Sequence, residues 1–166
     1  TGLRIGIAAV KGLAWAADKP CLGVSTLEAM AENVAHLNGL VVGAMDARRA
    51  QVYNAVFEAK AGSLTRLTPD RAISLEELCA QLTGKEQPIT VLGDGGALCH
   101  RYLTEHGVKC SRAPAPLLYQ NAVGVGLAAE RAYARGEAVS AQELLPIYLR
   151  PAQAERLKSA KAAQTR

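Results

Sequence analysis

Along this chain, helical spacings of apolar side chains alternate with short runs in which every position is apolar. Leu3, Ile7, Val10 and Ala14 recur at intervals of three and four, which predicts a helix capped by Thr1 and running to about Ala17. Asp18-Lys19-Pro20 breaks it. Cys21 to Val24 has the length of a strand, and Ser25 or Thr26 then caps a helix from Leu27 to Leu37 with Glu28 in its first turn. Leu40 to Met45 is continuously apolar, as in a strand covered on both faces. Beyond the turn Asp46-Ala47-Arg48-Arg49 lie two further strands, Val52 to Phe57 and Leu64 to Leu67, joined through Ala61-Gly62-Ser63. Ser74 opens a helix that ends near Leu82, and Ile89 to Leu92 is a buried strand. Gly93-Asp94-Gly95-Gly96 turns into a helix from Ala97 to His106, followed by a strand from Val108 to Ser111. A helix from Asn121 to Arg135 stops at Gly136, and a short helix near Ala141–Leu144 precedes the exit Tyr148-Leu149-Arg150-Pro151.

Residues 40–135 therefore read βββαβαβα, and residues 2–37 read αβα, the last three elements of the same unit. This predicts a duplicated unit whose first copy lacks its leading βββαβ, a gap of about 55–70 residues if loop lengths are similar. The opening at Thr1, with no methionine, no signal-peptide charge pattern and no leader strand, fits a start part-way through that copy. Three segments follow: residues 1–38 as a remnant of a first lobe, 39–139 as a second lobe, and 140–166 as a C-terminal extension with a basic tail. A doubled unit of this kind is the α/β architecture of the actin, Hsp70 and sugar-kinase superfamily. The expected fold is two-lobed and ribonuclease H-like, with the first lobe truncated.

Composition narrows the picture. Of 166 residues 49% are hydrophobic, 31 of them alanine, and 4% are aromatic, which suits helices packed closely on a sheet and excludes a disordered or fibrous chain. No apolar run approaches the roughly 20 residues of a membrane span, so a soluble protein is expected. Cys21, Cys79, Cys99 and Cys110 form no metal-binding spacing and read as small core residues in a reducing cytoplasm. The net charge of +4 is unevenly placed: residues 1–149 hold 14 Lys/Arg and 14 Asp/Glu. Arg150, Arg156, Lys158, Lys161 and Arg166 then face Glu155 alone. The tail is either a solvated end or a contact for nucleic acid or an acidic partner.

Nucleotide-using members of such a fold need glycine-rich hairpins that let backbone N–H groups approach phosphates. Here the hairpin Asp46-Ala47-Arg48-Arg49 is bulky, whereas Gly93-Asp94-Gly95-Gly96 keeps a small turn ahead of a helix. Arg48 and Arg49 are either a solvated turn or a contact to a partner or phosphate, and Asp46 is either a turn former or an acid. The histidines, His36, His100 and His106, include no pair spaced for a metal on a helix. The closest two fall about 240° apart around a helix and do not converge. Gly2, Gly6 and Ala9 line one side of the first helix and leave a groove for another helix, inside the chain or on a partner. Leu3, Ile7 and Val10 are expected to face inward, with Arg4, Lys11 and Trp15 on the other side.

Thr1-Gly2-Leu3-Arg4-Ile5-Gly6 resembles the second half of the run GPGSFTGLRIG, and Lys11-Gly12-Leu13-Ala14 continues it. Val24-Ser25-Thr26-Leu27-Glu28-Ala29 is similar to V-S-S-L-E-A, and Asp46-Ala47-Arg48-Arg49 with Val52-Tyr53 to the hairpin D-A-R-R-x-E-V-Y. Leu92-Gly93-Asp94-Gly95 and Tyr148-Leu149-Arg150 agree as well. Together these motifs resemble the bacterial TsaB (YeaZ) family, the dimerisation subunit of the machinery that makes threonylcarbamoyladenosine in tRNA. The GPGSF half is absent, and Gln51 stands where glutamate is usual.

The resemblance implies an accessory subunit without catalysis of its own, glycoprotease-like by homology and without peptidase activity. Its partners would be the catalytic paralogue TsaD, the ATPase TsaE or a second copy of itself, with tRNA reached indirectly through the complex and no membrane. ATP and metal would belong to the partner subunits, with no cofactor in this chain. Candidate interface residues are Leu3, Arg4, Gly6, Ile7, Val10 and Lys11, and Asp46, Arg48 and Arg49 are candidates for a partner or phosphate contact. An autonomous kinase or ATPase of the same superfamily is the alternative.

Overall fold

The computed structural model describes residues 2–150. Helix α1 (Gly2–Ala16) and helix α2 (Thr26–Glu32) lead into strands β1 (Gly39–Asp46), β2 (Gln51–Lys60), β3 (Ser63–Arg66) and β4 (Arg71–Ser74). Helix α3 (Leu75–Leu82), strand β5 (Ile89–Leu92), helix α4 (Gly96–Glu105), strand β6 (Ser111–Arg112) and helix α5 (Ala122–Ala134) follow. The sheet runs β3-β2-β1-β5-β6, antiparallel across β3-β2-β1 and parallel across β1-β5-β6. This ribonuclease H-like order confirms the expected α/β fold class.

Strand β1 is apolar from Gly39 to Met45 because helices cover both of its faces. Leu40, Val42 and Ala44 point into a core with α3 and α4, built around Leu78, Cys99 and Leu103. Val41 points to the opposite core, where Leu27, Met30, Ala31 and Val34 of the α2 region meet Phe57 of β2. Helix α5 lies outside α2 in a contact so close that a Cβ on Gly124 would stand 2.1 Å from the Ala29 carbonyl oxygen. The caps are legible in the residues. Ser74 and Glu77 form a capping box on α3, Ser25 accepts from the Glu28 amide, and Asn121 accepts from the Gly124 amide.

Several sequence expectations need correction. Cys21–Val24 is no strand but a single bridge, Cys21 to Val139. The strand expected over Val108–Ser111 shrinks to Ser111–Arg112, and Ala141–Leu144 is a turn. The helix expected to reach Leu37 leaves α-geometry after Glu32. Strand β4 was not anticipated: it pairs with the first half of β2 while β3 takes the second half. The cap expected at Thr1 and the basic residues after Arg150 lie outside the described residues.

Candidate partner interface

Glycine is a poor helix former, yet α1 carries Gly2, Gly6 and Gly12. None of the three is required by local crowding: a Cβ on any of them would meet no atom within 4 Å. Among the described residues, α1 is held by one narrow stripe. Ile7 and Ala14 pack with Cys21, Val139, Ala141 and Leu144. Between them the Lys11 Nζ donates to the carbonyls of Gln142 and Leu144, at 3.0 and 3.1 Å. Two turns before Lys11, the Arg4 Nε donates to the Tyr148 hydroxyl at 3.0 Å. Residues 139–150 thus form a strap along the helix.

This reverses part of the sequence reading. Leu3 and Val10, expected to face inward, are 56% and 50% exposed. Arg4 and Lys11, expected on the outer side, belong to the strapped stripe with Ile7. The physical reason is that α1 is apolar almost all round, so spacing alone does not say which stripe is covered. Opposite the strap, Gly2, Gly6 and Ala9 share a side with the exposed Leu13, flanked by exposed Ile5 and Val10. Trp15, also exposed, borders an open depression of about 390 Å³ lined by Lys11, Gly12, Ala141 and Gln142.

The strap ends on the hairpin between β1 and β2. Arg150 donates to the Ala47 carbonyl at 2.9 Å and to the Gln51 side chain, and its guanidinium stands 5.5 Å from the centre of the Tyr53 ring. The sequence marks Tyr148-Leu149-Arg150 as an exit segment and a matching motif but not as a contact to the hairpin, because contacts across about a hundred residues leave no local signal. Within the hairpin Arg48, Arg49 and Ala50 have φ of 64, 56 and 54°. Left-handed backbone costs a non-glycine residue about 1–2 kcal/mol. Asp46 acts as a turn former, accepting from the Arg48 amide at 2.7 Å. Arg48 and Arg49 stay exposed.

In the Gly93–Gly96 turn the three glycine amides are engaged: Gly93 donates to the Leu118 carbonyl, Gly95 to the Ala44 carbonyl and to the Asp94 carboxylate, and Gly96 to the Gly93 carbonyl. The glycines are there for close packing, since a Cβ on Gly93, with φ +101°, would lie 2.1 Å from the Ala44 carbonyl oxygen. Among the described residues no group of three His, Cys, Asp or Glu could hold a metal ion. His106 instead stacks on Tyr102, ring centres 4.1 Å apart.

The family model of TsaD, the tRNA N6-adenosine threonylcarbamoyltransferase, matches residues 1–158. The tRNA threonylcarbamoyladenosine biosynthesis protein TsaB of Bacillus subtilis is 34% identical over 93% of this chain, and that of Haemophilus influenzae 32% over 90%. The chain spans 66% and 65% of those two relatives. Among solved structures, YeaZ from Pseudomonas aeruginosa superposes with a TM-score of 0.73 and 28% identity over 90% of this chain and 68% of that one. A second structure, of an uncharacterized protein described as similar to peptidase YeaZ from Pseudomonas aeruginosa, gives 0.75 and 27% over the same shares. With the motifs, sheet order and these relatives in agreement, the chain belongs to the TsaB (YeaZ) branch of the TsaD-type family.

Proposed function

We propose that this protein is the non-catalytic subunit of a tRNA threonylcarbamoyladenosine-forming complex in the cytoplasm, docking a TsaD-type paralogue through α1. The observation that carries this is the outer face of α1, where Leu3, Ile5, Val10 and Leu13 are exposed and, among the described residues, no atom lies within 4 Å of a Cβ built on Gly2 or Gly6. A surface of that shape accepts another helix at close range. A second copy of the chain competes for it, and a TsaE-type ATPase, ATP and metal belong to the assembled complex. The division into a partial first lobe, a second lobe over 39–139 and a C-terminal extension is part of this reading. The engaged amides of the Gly93–Gly96 turn weigh against an autonomous kinase. Co-expression with a TsaD-type subunit should give one co-eluting species on size exclusion and restore threonylcarbamoyladenosine to tRNA. Separate elution overturns the reading, and tight ATP binding by the chain alone revives the kinase.

A further inference from the structure

We propose that the depression between α1 and the strap receives a carboxylate side chain from the helix that docks on α1, with the Lys11 ammonium and the Trp15 indole N–H as its donors. This rests on the docking reading above. The depression, about 390 Å³, is lined by Lys11, Gly12 and Trp15 of α1 and by Ala141 and Gln142 of the strap. Lys11 and Trp15 are one helical turn apart, so they stand next to each other along α1. Gly12 falls about 60° from both Trp15 and Ala9 around the helix. The depression therefore opens towards the outer face.

The charge around the depression calls for an anion. A lysine ammonium has three N–H donors. At Lys11 the neutral carbonyls of Gln142 and Leu144 accept from Nζ and hold the cation without neutralising it. Helix α1 contains no Asp or Glu, and the strap contains only Glu143. That carboxylate is turned into its own loop, where Oε2 accepts from the Ser140 amide at 2.9 Å and from the Ser140 hydroxyl at 2.7 Å. Among the described residues no carboxylate pairs with Lys11, and the indole N–H of the exposed Trp15 has no acceptor. A cation and a neutral donor side by side match the two oxygens of one carboxylate. Gly12 is an independent sign. Glycine weakens a helix relative to alanine, and among the described residues nothing within 4 Å would crowd a Cβ there. Its effect is to leave the depression open where a docked helix would enter. Phosphate is the less fitting occupant, because its recognition favours paired guanidinium donors and this site has a single ammonium.

The test pairs the full chain with a TsaD-type subunit. Trp15 is the only tryptophan, so fluorotryptophan labelling gives one fluorine NMR signal, which should move when the complex forms. Trp15→Phe removes the N–H and keeps an aromatic ring; it should weaken association by roughly 10- to 100-fold with an unchanged thermal melt. Gly12→Glu supplies a carboxylate from α1 itself. It should melt at or above the wild-type temperature and lower the affinity by a similar factor. Zero-length carbodiimide coupling should join Lys11 to an Asp or Glu of the partner's docking helix: Nζ displaces the activated carboxylate oxygen, an amide forms, and the reagent leaves as a urea. Wild-type affinity in Trp15→Phe and Gly12→Glu, with no Lys11 cross-link, overturns the proposal; if Gly6→Leu still breaks the complex, the docking reading stands. A cross-link from Lys11 to a second copy of this chain overturns the choice of occupant. Absence of any complex with the wild-type chain overturns both.

Discussion

Glu32 and Arg131 meet across the α2–α5 contact: the Glu32 Oε1 accepts from the Arg131 Nη1 at 2.6 Å, while Oε2 is buried with no hydrogen-bond partner among the described residues. Among the described residues the carboxylate is thus paired through one of its two oxygens.

A pH dependence follows from that oxygen. Burial pushes the Glu32 carboxyl above its ordinary 4.5, with Arg131 opposing and Glu28 adding to the shift. Folded Glu32 keeps its proton to higher pH than the unfolded chain does, so its contribution is greatest at acid pH and falls as pH rises from about 4.5 through the folded value. Glu32→Gln should remove that fall. Urea midpoints of the two proteins measured from pH 4 to 7 should therefore shift in the variant's favour as pH rises. Curves that stay parallel would count against this assignment.

Two glycines of α5 should respond oppositely to alanine. At Gly124 the added Cβ would stand 2.1 Å from the Ala29 carbonyl oxygen, so the helices must separate, at a cost of about 1–3 kcal/mol or more. At Gly126 nothing lies within 4 Å, and alanine should stabilise by about 0.5–1 kcal/mol through helix propensity. Denaturant unfolding of the isolated chain measures both. Equal changes at the two positions would contradict the close crossing.

Gly6→Leu separates folding from assembly. With open space over Gly6, the isolated chain should melt at or above the wild-type temperature. If a partner helix packs there, overpacking of about 1–3 kcal/mol weakens association by roughly 5- to 150-fold. Retention of wild-type co-elution with a TsaD-type subunit would move the interface off α1.

Thiol chemistry gives a further check on the core. Cys99 is fully buried, and burial pushes its thiol up to about 12. Cys21 and Cys79 are buried as well, which leaves the half-buried Cys110, itself raised by burial. A colorimetric disulfide reagent at pH 8 should find one slow thiol in the native chain and four in denaturant. Rapid native labelling of two or more would contradict this packing.

What the sequence revealed was what local forces decide. Ser74 with Glu77 and the uninterrupted run of β1 are complete signals within a few residues. Strand β4 escaped notice because Arg71 to Ser74 buries only Ile73 and exists through its pairing with β2. Cys21 to Val24 has strand composition, but only Cys21 meets a partner. The candidate site divided in the same way. Asp46, Arg48 and Arg49 were legible as a turn, whereas the orientation of α1 was not. It depends on Lys11 reaching two carbonyls more than 130 residues away, a contact that no spacing announces.

The strap has a consequence for biosynthesis. Arg4 and Tyr148 are separated by 144 positions, so α1 must wait for nearly all of the described chain before its anchoring contacts can close. Synthesis delivers the β1–β5 region and its helices well before the strap, and domains fold as they emerge from the ribosome. Helix α1 is therefore made before the elements of the sheet and seated after them. During that interval its apolar surface is open to chaperones.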